Sequence, residues 1–344
     1  MLQTQPVPDG ASLELVCPAG TPAAFRTALD AGADAIYVGF RDETNARNYP
    51  GLNFSRQELA TAVPLAHQQH RKVFVAINTN PHAGNQQPWQ QAVDDAVSLG
   101  ADAVILSDPG LIDYTRNKYP DFQINLSVQA FASNIDSINY YRDQFGIARV
   151  VLPRIFTLRE IRRIVADTDV EIEVFAFAVA GPMAEGRCIM SSYVTGKSPN
   201  NFGACSPASC VEYTESGSRL DSRLNGVLVN RFEQGEPASY PTLCRGRYRV
   251  NGQQQYLFEN PASLNVISIL GKLTDIGVRA IKIEGRQRGK SYIADVTRQF
   301  RLAIDNVANS GPPLSGEPDI NEDILAGLCE GQDDHTGAFK KRWL

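Results

Sequence analysis

Four of the six cysteines in this 344-residue chain fall between positions 188 and 244: Cys188, Cys205, Cys210 and Cys244. Cys17 and Cys329 lie near the ends. Thiolates are soft ligands, and four of them spread over a loop-rich segment suit an iron–sulfur cluster, which commonly takes four cysteines. The spacing fits none of the tight zinc patterns. There is no paired C-x-x-C and no H-E-x-x-H, and His67, His70, His82 and His335 all lie outside the segment. The competing reading is that these are buried free cysteines acting as small hydrophobes. Their surroundings, "EGRC", "FGACSP" and "TLCRGRY", are polar and glycine-rich and do not resemble core packing.

The elements that must position these thiols follow from the rhythm of the chain. Short apolar runs occur at 13–19, 34–40, 72–78, 102–108, 122–128, 148–153, 171–179 and 279–285. They are near-continuous rather than alternating, as expected of parallel strands covered on both faces. Helical patterns fill the gaps, and two open on capping boxes, Ser55 with Glu58 and Thr157 with Glu160. Eight strands alternating with eight helices point to an α/β fold, a (β/α)8 TIM-like barrel; a doubly wound open sheet is the runner-up. No G-x-G-x-x-G turn follows the first strand, which counts against the open sheet.

The rhythm breaks after strand seven. The expected division is 1–180 for seven β/α units, 181–260 for a cysteine-bearing insertion, 261–310 for the helix, strand and helix that close the barrel, and 311–344 for a C-terminal tail. An insertion after a strand's C-terminal end projects from the face where barrel active sites form, so the cysteines are placed over the chemistry. Polar residues at those strand ends are candidate substrate contacts: Asn78, Asp108, Gln129, Arg154, Glu284 and Arg286. Guanidinium groups match carboxylates bidentately, so the arginines suit a dicarboxylate.

Bulk properties bound the remaining choices. Hydrophobic residues make up 43% and charged residues 21%, with a net charge of −5, which offers no basic footprint for DNA or other duplex nucleic acid. The N-terminus lacks the basic-then-apolar order of a secretory signal, and no window approaches the ~20 apolar residues of a membrane span. The expectation is a cytoplasmic protein with reduced thiols.

Longer stretches carry a resemblance. "ELVCPAGTPAAFRTALDAGADAIYVG", "NARNYPGLNFS", "MAEGRCIMSSYVTGKSPNNFGACSP", "YPTLCRGRY" and "IKIEGRQR" together resemble the collagenase-like family of peptidases of unassigned type, and within it the UbiU branch. That resemblance implies a 4Fe-4S cluster, a heterodimer with a UbiV-like protein, and oxygen-independent ring hydroxylation of a ubiquinone precursor with prephenate as oxygen donor. It also adds Arg47 and Asn48, in the "ARN" of the second stretch, to the candidate contacts. Cys188, Cys205 and Cys244 fall on three of the branch's four cluster positions. The fourth is occupied by Gly181. The family motif runs E-x-F, a glycine-led small turn, cysteine, then G-x-C; here Glu173, Phe175, Gly186 and Cys188 are kept, but 178–181 reads "AVAG". Cys210 is the candidate substitute ligand and Cys17 a weaker one.

Three alternatives stand beside an iron–sulfur hydroxylase subunit. Other members of the wider family hydroxylate bases of RNA, a reading disfavoured here by the acidic balance and the lack of an appended RNA-binding domain. A scaffold without a cluster is kept open by Gly181. A true peptidase comes last, because no Ser–His–Asp, Cys–His or metal constellation is visible.

Overall fold

The computed structural model describes residues 13–181, 186–309, 320–330 and 333–340. Seven parallel strands follow one another in space: β1 (Glu14–Pro18), β2 (Ala35–Gly39), β3 (Lys72–Ile77), β4 (Ala103–Leu106), β5 (Gln123–Leu126), β6 (Arg149–Val151) and β7 (Glu171–Val179). The insertion contributes β8 (Val211–Ser216), β9 (Arg219–Leu224), β10 (Val227–Phe232), β11 (Arg247–Val250) and β12 (Gln253–Tyr256); β13 (Ala262–Asn265) and β14 (Ala280–Ile283) follow. β14 pairs in parallel with both β7 and β1, and that double pairing closes an eight-stranded barrel. The expected (β/α)8 architecture is therefore the one observed.

Helices α1 (Pro22–Asp30), α2 (Arg56–Gln68), α3 (Gln87–Ser98), α4 (Pro109–Lys118), α5 (Ile135–Phe145) and α6 (Leu158–Ala166) each follow a strand. Both capping boxes form as the sequence predicts, Ser55 with Glu58 and Thr157 with Glu160. After α7 (Ile189–Thr195) and α8 (Pro199–Phe202) of the insertion, α9 (Leu270–Ile276) and α10 (Lys290–Ala308) complete the ring. Within 261–310, β13 precedes α9 and pairs antiparallel with the end of β7. Within 311–344, α11 (Glu322–Leu328) buries Leu325 in the main core and β15 (Asp333–His335) pairs with β13.

Strand alternation separates two cores. Outward residues such as Leu15, Ile36, Val75, Leu106 and Ile281 form the shell beneath the helices. The barrel interior holds Val16, Tyr37, Phe74, Ile105 and four alanines, Ala35, Ala76, Ala103 and Ala280. Those small residues leave room for charge. Arg149, 2% exposed, reaches Glu14 at 2.8 Å, Glu171 at 2.7 Å and Glu173 at 3.2 Å, and Lys282 Nζ donates to Glu173 at 2.7 Å.

Such a network is costly to break from one side, because Glu173, 1% exposed, would be left with Lys282 alone and Glu14 with Lys72 alone. Arg149→Met is expected to lower the unfolding free energy by about 3–5 kcal/mol in a urea titration. Arg41→Ala, which removes the exposed pair with Glu58, should cost less than about 1 kcal/mol. Equal losses would show that the interior network contributes no more than a surface pair.

Candidate functional site

A cavity opens at the C-terminal ends of the barrel strands, beneath the insertion. Its floor is written by alternation along β14 and the residues after it: Lys282, Glu284 and Arg286 all face inward and line it. Glu284 receives Arg47 Nη2 on one carboxylate oxygen at 3.0 Å and Arg154 Nη2 on the other at 2.7 Å. Burial opposes its ionisation, but Arg154 and Arg47 outweigh that cost and hold its carboxyl down at about 2. The Arg154 guanidinium is also stacked 3.8 Å from the Phe175 ring centroid. Glu284 thus fixes two arginines at the cavity.

Arg286 is different. It is 4% exposed, and Nη1 donates to Asn45 Oδ1 at 3.1 Å; among the described residues it has no carboxylate partner. Burial pulls its pKa down to about 10, with Tyr37 opposing and Arg47 adding to the depression. Gly39 is required here, because a Cβ would stand 2.6 Å from Arg286 Nη1 and 2.7 Å from Asn45 Cγ. A buried guanidinium that faces a cavity with no carboxylate in contact among the described residues has the chemistry to receive an anion.

The insertion brings the thiols to the same cavity. Cys188 caps α7, its Sγ accepting from the Ser191 N–H at 3.4 Å, and Ser191 Oγ donates to the Cys205 carbonyl. Asn80 N–H donates to the Asn200 carbonyl at 2.9 Å, pinning α8 to the loop after β3. Gly203, at φ +83°, lets that segment lie against Ala46, whose backbone a Cβ would meet at 2.4 Å. Cys244 sits on a short turn beside Arg245, which is held by Glu330 at 2.7 Å. Cys188, Cys205, Cys244 and Gly181 all line the cavity. Burial raises the Cys205 thiol's pKa, Arg47 opposes this, and Cys244 and Cys188 add to it, so both of those thiols lie within electrostatic reach of Cys205.

Three thiols are the donor chemistry of an iron–sulfur cluster. Among the described residues no three His, Cys, Asp or Glu side chains are gathered closely enough to hold one metal ion. A cubane is held by thiolates that each bind a different iron, so its ligands stand further apart than those around a single ion. At Gly181, which is exposed, a Cβ would meet no described atom within 4 Å. Cys210 lies elsewhere, packed with Leu224, Val229 and Leu243 in a small apolar cluster. Cys17 is fully buried in the shell core, and desolvation pushes its thiol up to about 12.

Of the strand-end candidates, Arg47, Asn78, Gln129, Arg154, Glu284 and Arg286 line the cavity. Asn78 accepts from the Ala46 N–H at 3.0 Å. Asn48 is exposed and outside the lining, and Asp108 instead caps α4, accepting from the Leu111 N–H at 2.9 Å. Sequence reasoning missed Tyr37, Lys282 and Arg245. The signal for Lys282 was present, since it precedes Glu284 and Arg286 at period two. Arg245 is placed by the insertion's own turn, which no periodicity announces.

Removing an unpaired buried charge should stabilise the empty protein. Arg286→Met is expected to leave unfolding free energy unchanged or raise it by about 1–4 kcal/mol, while abolishing any thermal stabilisation by small organic acids. Destabilisation together with retained anion response would refute the anion-site assignment.

Three comparisons bear on this site. The family profile of peptidase family U32 matches residues 20–330. tRNA hydroxylation protein P of Escherichia coli is 32% identical over 321 residues, covering 87% of this chain and 69% of that protein. The 23S rRNA 5-hydroxycytidine synthase of the same organism is 31% identical, over 86% of this chain and 40% of its own length. The collagenase of Porphyromonas gingivalis is 26% identical over 86% of this chain and 66% of its own. A solved U32 peptidase superposes with a TM-score of 0.43 at 18% identity, over 52% of this chain and 76% of its own, and adds nothing to the barrel already traced. Among the described residues no helix is long and apolar enough to cross a membrane. Matched by the family profile over residues 20–330, the protein belongs to peptidase family U32.

Proposed function

We propose that this chain is the iron–sulfur subunit of a system that hydroxylates the ring of a ubiquinone precursor without oxygen, acting with a UbiV-like partner. The observation that carries the reading is the union, in one cavity, of three thiols with a buried guanidinium that, among the described residues, has no carboxylate in hydrogen-bond contact. Cys188, Cys205 and Cys244 would hold the cluster, which supplies electron transfer when bound. The chain's own residues then have defined tasks. Arg286 binds an anionic group, prephenate being the donor that the sequence resemblance implies. Glu284 holds Arg47 and Arg154 in position to meet a second one. A peptidase reading finds no support in the cavity, whose lining includes no histidine.

A partner is supported by the surface beside the thiols. Ile189 and Tyr193 lie one helical turn apart on α7 and are 81% and 91% exposed. Apolar side chains this open next to a cofactor-bearing loop are the kind that a second subunit covers.

Hydroxylation of an RNA base is the second reading, favoured by the relatives that act on tRNA and 23S rRNA. One experiment separates the two. A deletion strain grown without oxygen should accumulate an under-hydroxylated quinone precursor while its nucleoside profile by mass spectrometry stays unchanged. Loss of a hydroxylated nucleoside with normal quinone would reverse the assignment.

Metal content tests the ligand set. Anaerobically purified Gly181→Cys is expected to carry more iron than the unaltered chain, rising towards the four of a complete cubane. Cys210→Ala should leave iron unchanged, whereas Cys205→Ala should deplete it. Equal depletion in both alanine variants would make Cys210 a ligand.

A further inference from the structure

Lys282 has no task in the reading above, yet it lines the cavity at 6% exposure. Its Nζ donates to Glu173 Oε1 at 2.7 Å and stands 4.1 Å from the Tyr37 ring centroid. The Arg286 guanidinium lies 5.5 Å from the centroid of the same ring, so the amine and the Arg286 guanidinium both neighbour Tyr37 in the cavity lining. Glu173, 1% exposed, is itself shared: its second oxygen takes Arg149 at 3.2 Å. Its charge is therefore spread over two cations, of which only the Lys282 ammonium can pass it a proton. Burial lowers the Lys282 pKa, Glu173 opposes this, and Arg149 and Arg286 add to the depression. A desolvated lysine beside other cations is the arrangement that activates an amine as a nucleophile.

We propose that Lys282 forms an imine with the carbonyl carbon of a 2-oxo acid whose carboxylate is held by Arg286. The step balances without any oxidant or reductant. The ammonium passes a proton to Glu173, and the freed lone pair attacks the carbonyl carbon, making the C–N bond. The carbonyl oxygen takes one proton back from Glu173 and a second from the nitrogen, and leaves as water, giving a protonated C=N. One water is released and the positive charge stays on nitrogen. The acid is thereby held by a covalent bond and an ion pair at adjacent atoms, and the iminium is an electron sink for chemistry at its neighbouring carbons. The inference rests on the reading that this cavity takes an organic acid, and the test keeps the two apart.

The full chain is incubated with phenylpyruvate or pyruvate and sodium cyanoborohydride, then mapped by peptide mass spectrometry, with thermal stabilisation followed in parallel. The expected result is a reductive adduct concentrated on Lys282. It should be absent in Lys282→Arg, which keeps the charge facing Glu173, and absent with phenyllactate, which has no carbonyl. Arg286→Gln should slow adduct formation at low acid concentration by about tenfold or more, the worth of one charge-assisted contact. Stabilisation by the acids without an adduct on Lys282 overturns the imine and leaves the anion site standing. No stabilisation by any acid overturns both. Labelling of Lys282 no faster than that of exposed Lys72 and Lys118, or unchanged in Arg286→Gln, overturns the proposal as well.

Discussion

The constraint on which the rest of this structure depends is the neutralisation of charge inside a closed barrel. An ion removed from water costs several kcal/mol even after relaxation, so a buried charge must find its partner locally. The barrel interior meets this demand in layers. At the bottom, Glu173 is matched by Arg149 and Lys282, with Glu14 and Glu171 completing the set around Arg149. One layer up, Glu284 is matched by Arg47 and Arg154. At Arg286 the matching stops. The strand that carries Lys282, Glu284 and Arg286 thus runs from a compensated structural ion network to an uncompensated cation at the cavity, and the alanines around it supply the room.

The same economy explains how the thiols reach the cavity. The insertion is too polar and too short in its strands to make a core of its own beyond Leu224, Val229 and Leu243. Its position is fixed by backbone contacts to the barrel rim instead: Asn200 to Asn80, Gly203 against Ala46, and Tyr240 packed edge-on against Tyr49 with ring centroids 6.2 Å apart. The C-terminal segment closes the arrangement, since Glu330 holds Arg245 beside Cys244 and its N–H donates to Ser263 Oγ at 2.8 Å. Residues 244, 263 and 330 are remote in the chain but act as one clamp on the thiol turn.

The barrel was legible because its evidence is local and repeated. Continuous apolar runs recur at each β/α step, capping boxes open two of the helices, and neither signal depends on distant contacts. The cavity was legible in part. Strand-end polarity found Glu284, Arg286 and Arg154, but it cannot separate a residue turned to the cavity from one turned to a helix end, and Asp108 is the latter. Lys282 was hidden inside an apolar run, where a charge reads as noise unless the period-two pattern is carried through "KIEGR". The antiparallel hairpins of the insertion were not legible at all, because β8, β11 and β12 are largely exposed and polar, and their pairing is set by turns and partners rather than by a buried face.

Gly181 is the one place where this chain leaves its motif at a residue that should carry chemistry, and the structure weighs the two ways of making good the loss. Cys210 would have to leave the apolar cluster formed with Leu224, Val229 and Leu243, and its carbonyl would have to release the Asn225 N–H, which it holds at 2.6 Å and which begins the β9–β10 turn. That rearrangement discards packing and a turn together. A side chain at 181 meets no described atom within 4 Å and already borders the same cavity as Cys188, Cys205 and Cys244. Among the described residues, then, nothing occupies the place of a fourth thiol where the family puts it, while the Cys210 thiol is packed in the insertion's own apolar cluster.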